Sequence, residues 1–161
     1  MATTLTRPTS AQAVPAAERQ DVSNPSFQAF WLLRIGFTLA PILFGADKFA
    51  HVLVNWDKYL APSIVNHLPW TAHQAMYAVG VIEILAGIAV AVKPRYGAWL
   101  VAAWLGGIVI NLLTYSGYYD IALRDFGLML GALTLGRLAS VYDPPLAIER
   151  RLFGSFSTTR S

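Results

Sequence analysis

Apolar and polar residues fall along this chain in long blocks, not in a fine alternation. Four apolar blocks stand out, at about Phe27 to Ala50, His73 to Val92, Gly97 to Gly117 and Ile121 to Val141. Each approaches the ~20 residues that a helix needs to cross a ~30 Å hydrocarbon layer. A soluble helical protein would carry a polar stripe along every helix. The third block has no charged residue between Gly97 and Leu113. The expected fold is therefore all-α, a transmembrane four-helix bundle. The connections Lys93-Pro94-Arg95-Tyr96 and Gly117-Tyr118-Tyr119-Asp120 are short. The stretch from His51 to Ala72 is longer and amphipathic, and Pro62 and Pro69 break any long helix in it. Trp56, Tyr59 and Trp70 are expected near the lipid headgroups. Residues 1–26 read as a disordered tail and residues 142–161 as a basic tail suited to an anionic leaflet.

Composition agrees with the block pattern. Of 161 residues, 55% are hydrophobic and only 13% charged, where a soluble domain carries about 25% charged residues. Mean hydropathy is +0.47 despite the polar start. No apolar signal region follows a basic start within the first stretch. There is no cysteine, which excludes thiolate metal sites, iron–sulfur clusters and thiol–disulfide chemistry carried by this chain alone. The net charge of +3 forms no basic patch on a soluble face, so no nucleic-acid partner is expected. The cations orient the chain instead. Arg7, Arg19, Lys93, Arg95, Arg137, Arg150, Arg151 and Arg160 fall on one side of four crossings. Lys48, Lys58 and Arg124 fall on the other. The positive-inside rule then places both termini in the cytoplasm and the long connection outside the plasma (inner) membrane.

The few ionisable groups within or bordering the blocks carry the functional signal. They are Arg34, Asp47, Lys48, Glu83, Arg124 and Asp125. A charge at the centre of a membrane helix costs about 2.5–3.5 kcal/mol on the insertion scale, so such groups turn inward and find partners. At 100° per residue, Arg34, Thr38, Pro41, Gly45 and Lys48 share one stripe of the first helix. Gly80, Glu83 and Gly87 share a face of the second. Trp104, Gly107, Asn111 and Thr114 share one of the third, and Arg124, Gly127 and Gly131 one of the fourth. Small residues on these faces suit close helix packing. Counted from the block ends, Arg34 and Glu83 lie within about 3–5 Å of the same depth, so an interior Arg34–Glu83 ion pair is expected. A second cluster of Asp47, Lys48, Arg124 and Asp125 is expected near the outer face, with Asp125 in the first turn of the fourth helix. Such pairs also serve simply to fix helix register. His51, His67 and His73 belong to the outer connection. They read as interfacial side chains, and no metal site is assigned. No histidine lies within a span to hold haem.

The segments Arg34-Ile-Gly-Phe, Gly45-Ala-Asp-Lys48-Phe49, Glu83-Ile-Leu-Ala-Gly87 and Arg124-Asp125-Phe126-Gly127 resemble the DoxX-like family of small four-helix bacterial membrane proteins. The resemblance spans roughly Phe27 to Val141. It implies a membrane subunit of a redox complex, since some members serve a thiosulfate:quinone oxidoreductase and others accompany redox or stress-response proteins. Arg34, Lys48, Glu83, Arg124 and Asp125 match the family's polar positions.

Three functions follow as expectations. The first is a membrane subunit of a larger quinone-linked complex. The bilayer and other membrane subunits, or further copies of the chain, would be its partners. Quinone would be the cofactor, with none held by this chain alone. Glu83 is the candidate proton relay, and Arg34, Lys48, Asn111, Arg124 and Asp125 are candidate interior ligands. Phe37, Phe44, Trp104 and Tyr115 would line an apolar slot. The second is a non-catalytic accessory or scaffold subunit. The third, a small transporter, ranks lowest because no inverted repeat is visible.

Overall fold

The computed structural model describes residues 21–62, 66, 69–114 and 117–144. The expected tails before residue 21 and after residue 144, with His67 and Tyr115, lie outside the described residues. Within them the chain is all-helical. Four long helices appear, α1 (Pro25–Ala50), α2 (Ala72–Val92), α3 (Pro94–Leu113) and α4 (Tyr119–Tyr142), with a short 3₁₀ helix at Trp56–Tyr59.

Local chemistry sets the ends. Asn24 caps α1 by accepting from Ser26 N, and Pro25 occupies the first turn, where its missing N–H costs nothing. His51 closes α1 in the left-handed region, at φ 53°. Thr71 and Gln74 form a reciprocal capping box at the start of α2. Lys93 alone separates α2 from α3, and Pro94 begins the new helix. The acid in the first turn of α4 is Asp120. Asp125 lies further in, because α4 starts two residues before the expected Ile121.

The helices pack in chain order around a ring, α1 on α2, α2 on α3, α3 on α4 and α4 back on α1. Polar links mark the two ends. At one end Lys93 Nζ reaches Asp143 Oδ1 at 3.2 Å and Arg95 reaches the Ser140 carbonyl at 3.3 Å, tying the α2–α3 turn to the end of α4. At the other end Asn111 holds the connection that follows α1.

Glycine sets the α1–α2 seam. A Cβ on Gly45 would meet the Gly80 carbonyl at 2.6 Å, and one on Gly87 would meet the Thr38 carbonyl at 2.7 Å. The predicted small-residue stripes of α1 and α2 do face each other. On α4, Gly131 lies against the Phe37 ring and Gly136 against the Trp99 indole, while Gly127 stands in open space.

The interior is built largely from small residues. Ala75, Ala86, Ala98, Ala102, Ala122, Ala132 and Ala139 are buried, whereas Leu32, Leu43, Leu85, Ile110 and Leu123 are exposed. Such an inside-small, outside-large distribution suits an apolar surrounding. Three helices, α1, α2 and α3, are long and apolar enough to cross a membrane. α4 is not among them, since it carries Asp120, Arg124, Asp125 and Arg137.

Candidate functional site: an interior cavity with paired charges

α1 does not start level with the end of α2. Gly45 sits against Gly80, and two turns earlier on α1 Thr38 sits against Gly87, two turns later on α2. One further turn each way brings Arg34 to Ala91, the penultimate residue of α2. The first turns of α1 therefore overhang the end of α2. The expected Arg34–Glu83 pair does not form. Glu83 lies two turns back from Ala91, about 12 Å at 1.5 Å per residue. Arg34 Nη2 instead donates to the Ala91 carbonyl at 2.6 Å, and its guanidinium lies 4.8 Å from the Trp31 ring centre. It acts as a cation at the carbonyl end of a helix.

The partner of Glu83 is Lys48. Nζ lies 2.6 Å from Oε2, with the two side chains only 4% and 11% exposed. Both stand on the seam where glycines let the backbones approach. The ammonium also lies 3.9 Å from the centre of the Trp56 ring, a cation–π contact that replaces part of its lost hydration.

The pair looks onto a cavity of about 730 Å³. All four helices contribute to it, with Phe44 and Lys48 from α1, Glu83 from α2, Trp104 and Asn111 from α3, and Arg124 and Asp125 from α4. The expected outer cluster is thus partly assembled. Lys48, Arg124 and Asp125 do meet around one space, joined by Glu83. Arg124 Nε lies 2.9 Å from Asp125 Oδ1, with the arginine well exposed and the aspartate buried. Asp125 also acts electrostatically on Glu83. The four groups sum to two cations and two anions, so the site is neutral as a whole.

Asp47 departs from the expected cluster. It turns toward the connection, where Oδ1 accepts from Val52 N and Leu53 N at 3.0 and 3.1 Å, and Oδ2 from Trp56 Nε1 at 2.7 Å. These bonds fold the chain back over the bundle. Trp56 and Tyr59 consequently line the cavity, whereas Trp70 is exposed. The carboxamide of Asn111 is engaged by the same lid. Its Nδ2 donates to the Tyr59 carbonyl at 2.9 Å, and its Oδ1 accepts from Ala61 N at 3.1 Å.

Trp104 stands out among the wall residues. Its Nε1 is buried and has no partner at hydrogen-bond geometry among the described residues, although Glu83 is close. A second, almost wholly apolar cavity of about 260 Å³ adjoins the first. It shares Phe44, Glu83 and Trp104 with it and continues past Phe37 and Gly36. Phe37, Phe44 and Trp104, named from the sequence as slot residues, all line one cavity or both. The lid residues Trp56 and Tyr59 were not expected there. The available signal was Asp47 at the end of α1, a carboxylate placed to gather the amides that follow it.

Compared with known protein families, curated proteins and solved structures, the chain matches none of them.

Proposed function

We propose that the chain is a multi-pass subunit of a larger, quinone-linked redox complex in the cell's inner membrane, of the DoxX-like kind, with the interior cavity as its quinone site. The observation that carries this reading is the shape and lining of the paired cavities. A quinone has a flat polar head and an apolar tail. The larger cavity offers Lys48 Nζ, the guanidinium of Arg124 and the indole N–H of Trp104 as donors to carbonyl oxygens. The adjoining apolar cavity suits the first part of a tail. Glu83 and Asp125 supply carboxyl groups at the same space.

Reduction of a quinone to a quinol consumes two electrons and two protons. The electrons enter from a partner subunit, since the chain has no cysteine and its spans hold no histidine beyond His73 in the first turn of α2. Glu83 and Asp125 relay protons to the two oxygens, while Lys48 and Arg124 stabilise charge that develops on them. Arg34 has no part in this step, because it lines neither cavity.

The same reading has four membrane crossings with both termini in the cytoplasm. In support, α4 exposes Leu123, Phe126, Leu128, Leu130 and Val141 while its Asp125 is buried. Arg137 is exposed near its end, where a long side chain can reach the headgroups. Withdrawal of Lys48 into the interior sharpens the charge asymmetry.

The test is a titration of the purified chain with a short-tailed quinone, followed by quenching of tryptophan fluorescence. Saturable quenching that weakens in Trp104→Phe is expected. Absence of saturable quenching in the unaltered protein would remove the basis of the proposal. The competing reading, an accessory subunit whose charges only fix register, draws on the tight Gly45–Gly80 seam and predicts that null result.

A further inference from the structure

A second group of functional side chains lies away from the cavity, where the end of α1, the 3₁₀ helix and the start of α2 converge. His51 closes α1, Asp57 sits in the 3₁₀ helix and His73 lies in the first turn of α2. One donor atom from each of the three lies within 4.8 Å of the others. The imidazole rings of His51 and His73 stack with centres 5.1 Å apart and planes 20° apart. His73 Nδ1 is 3.1 Å from Asp57 Oδ2. We propose that His51, Asp57 and His73 form a binding site for a divalent transition-metal ion of the zinc class.

The geometry is close to what such an ion needs. Bonds of about 2.0–2.2 Å in a tetrahedral arrangement place neighbouring donor atoms roughly 3.2–3.5 Å apart. The Asp57–His73 edge already has that length. Rotation of the exposed His51 side chain supplies the remainder. Second partners set the imidazole tautomers. His51 Nδ1 lies 3.3 Å from the Phe49 carbonyl, so a proton held there leaves the Nε2 lone pair for a metal. His73 Nε2 lies 2.9 Å from the Tyr77 hydroxyl, so a proton donated there leaves Nδ1 for the metal beside Asp57. A ligating histidine usually donates its other N–H in this way. The other carboxylate oxygen, Asp57 Oδ1, is buried without a partner among the described residues.

The backbone that carries the ligands is fixed before any ion arrives. Asn55 accepts from Asp57 N at 3.2 Å, Asp47 holds Val52, Leu53 and Trp56, and the Thr71–Gln74 box holds the first turn of α2. Two imidazoles and one carboxylate favour zinc, cobalt, nickel or copper over magnesium or calcium, which prefer all-oxygen shells. Three protein ligands leave a fourth position for water. The ion would clip the connection to both helices and so hold Trp56 and Tyr59 over the cavity. The site does not depend on what the cavity holds.

The experiment titrates Zn²⁺ into the full chain in detergent micelles by calorimetry, with excess Mg²⁺ present. One equivalent is expected to bind. His51→Ala and His73→Ala should each weaken binding at least about tenfold, while Asp120→Asn leaves it unchanged. Circular dichroism checks that the variants keep their helicity. Co²⁺ added to the unaltered protein gives a reading that needs no variant. It should produce the visible d–d absorption of a tetrahedral site, and Zn²⁺ should abolish it. No stoichiometric Zn²⁺ binding, no Co²⁺ spectrum, or an affinity indifferent to both histidine substitutions would overturn the proposal.

Discussion

Replacing Lys48 with Met removes one half of the interior ion pair while keeping most of the side-chain volume. In the structure this leaves Glu83 11% exposed, without its 2.6 Å partner and with Asp125 acting on it. Breaking a buried pair by removing one partner costs about 3–5 kcal/mol, because a charge is left uncompensated. An exposed pair would cost no more than ~1 kcal/mol. Glu83→Leu should cost less than Lys48→Met. The stranded ammonium keeps the Trp56 face at 3.9 Å, whereas the stranded carboxylate faces another acid. The double variant Lys48→Met with Glu83→Leu should recover most of the loss, since replacing a buried pair by apolar residues is often neutral. A double-mutant cycle in detergent, read by unfolding in increasing dodecyl sulfate, measures the coupling. A coupling of at least ~2 kcal/mol is expected. A Lys48→Met cost below about 1 kcal/mol with negligible coupling would show a solvated pair and refute the reasoning.

Gly45→Ala and Gly80→Ala should each destabilise the bundle by about 1–3 kcal/mol in the same unfolding assay, because the new methyl meets backbone across the seam. Gly127→Ala, with open space at its Cβ, should be neutral or stabilising by up to about 1 kcal/mol. Arg34→Ala should cost about 0.3–1 kcal/mol and speed hydrogen exchange at the last turn of α2, since it removes the cation at that helix end. The absence of cysteine permits single-cysteine labelling. Lys58→Cys should react with an impermeant maleimide added outside intact cells and Ser23→Cys should not, the reverse pattern contradicting the proposed orientation.

The helices and the α1–α2 seam were readable in the sequence because both rest on local rules, whereas Gly107 and Gly127 of the expected α3 and α4 stripes meet nothing. Block length fixed the elements, and the 3.6-residue period put Thr38, Gly45 and Lys48 on one face and Gly80, Glu83 and Gly87 on another. Those faces do meet. The pairing of charges was not readable, because it depends on how far one helix slides along its neighbour. Depth counted from block ends assumes flush ends. The Gly45–Gly80 contact instead sets α1 overhanging, which delivers Lys48 to Glu83 and Arg34 to the end of α2. The lid was missed for a related reason. The amphipathic stretch after α1 fits an interface by composition. Only the hydrogen bonds to Asp47 and the Asn111 clasp turn it inward, and the clasp joins residues far apart in sequence. The His51–Asp57–His73 cluster comes from the same folding back of the chain.

The most direct test of the central claim is purification of the chain from its native membrane in a mild detergent, with mass spectrometry of the proteins retained and solvent extraction of bound quinone. A subunit of a quinone-linked complex should retain redox-active partners in fixed ratio and about one quinone per chain. Recovery of the chain alone, or only with copies of itself, and with no quinone, would contradict the account.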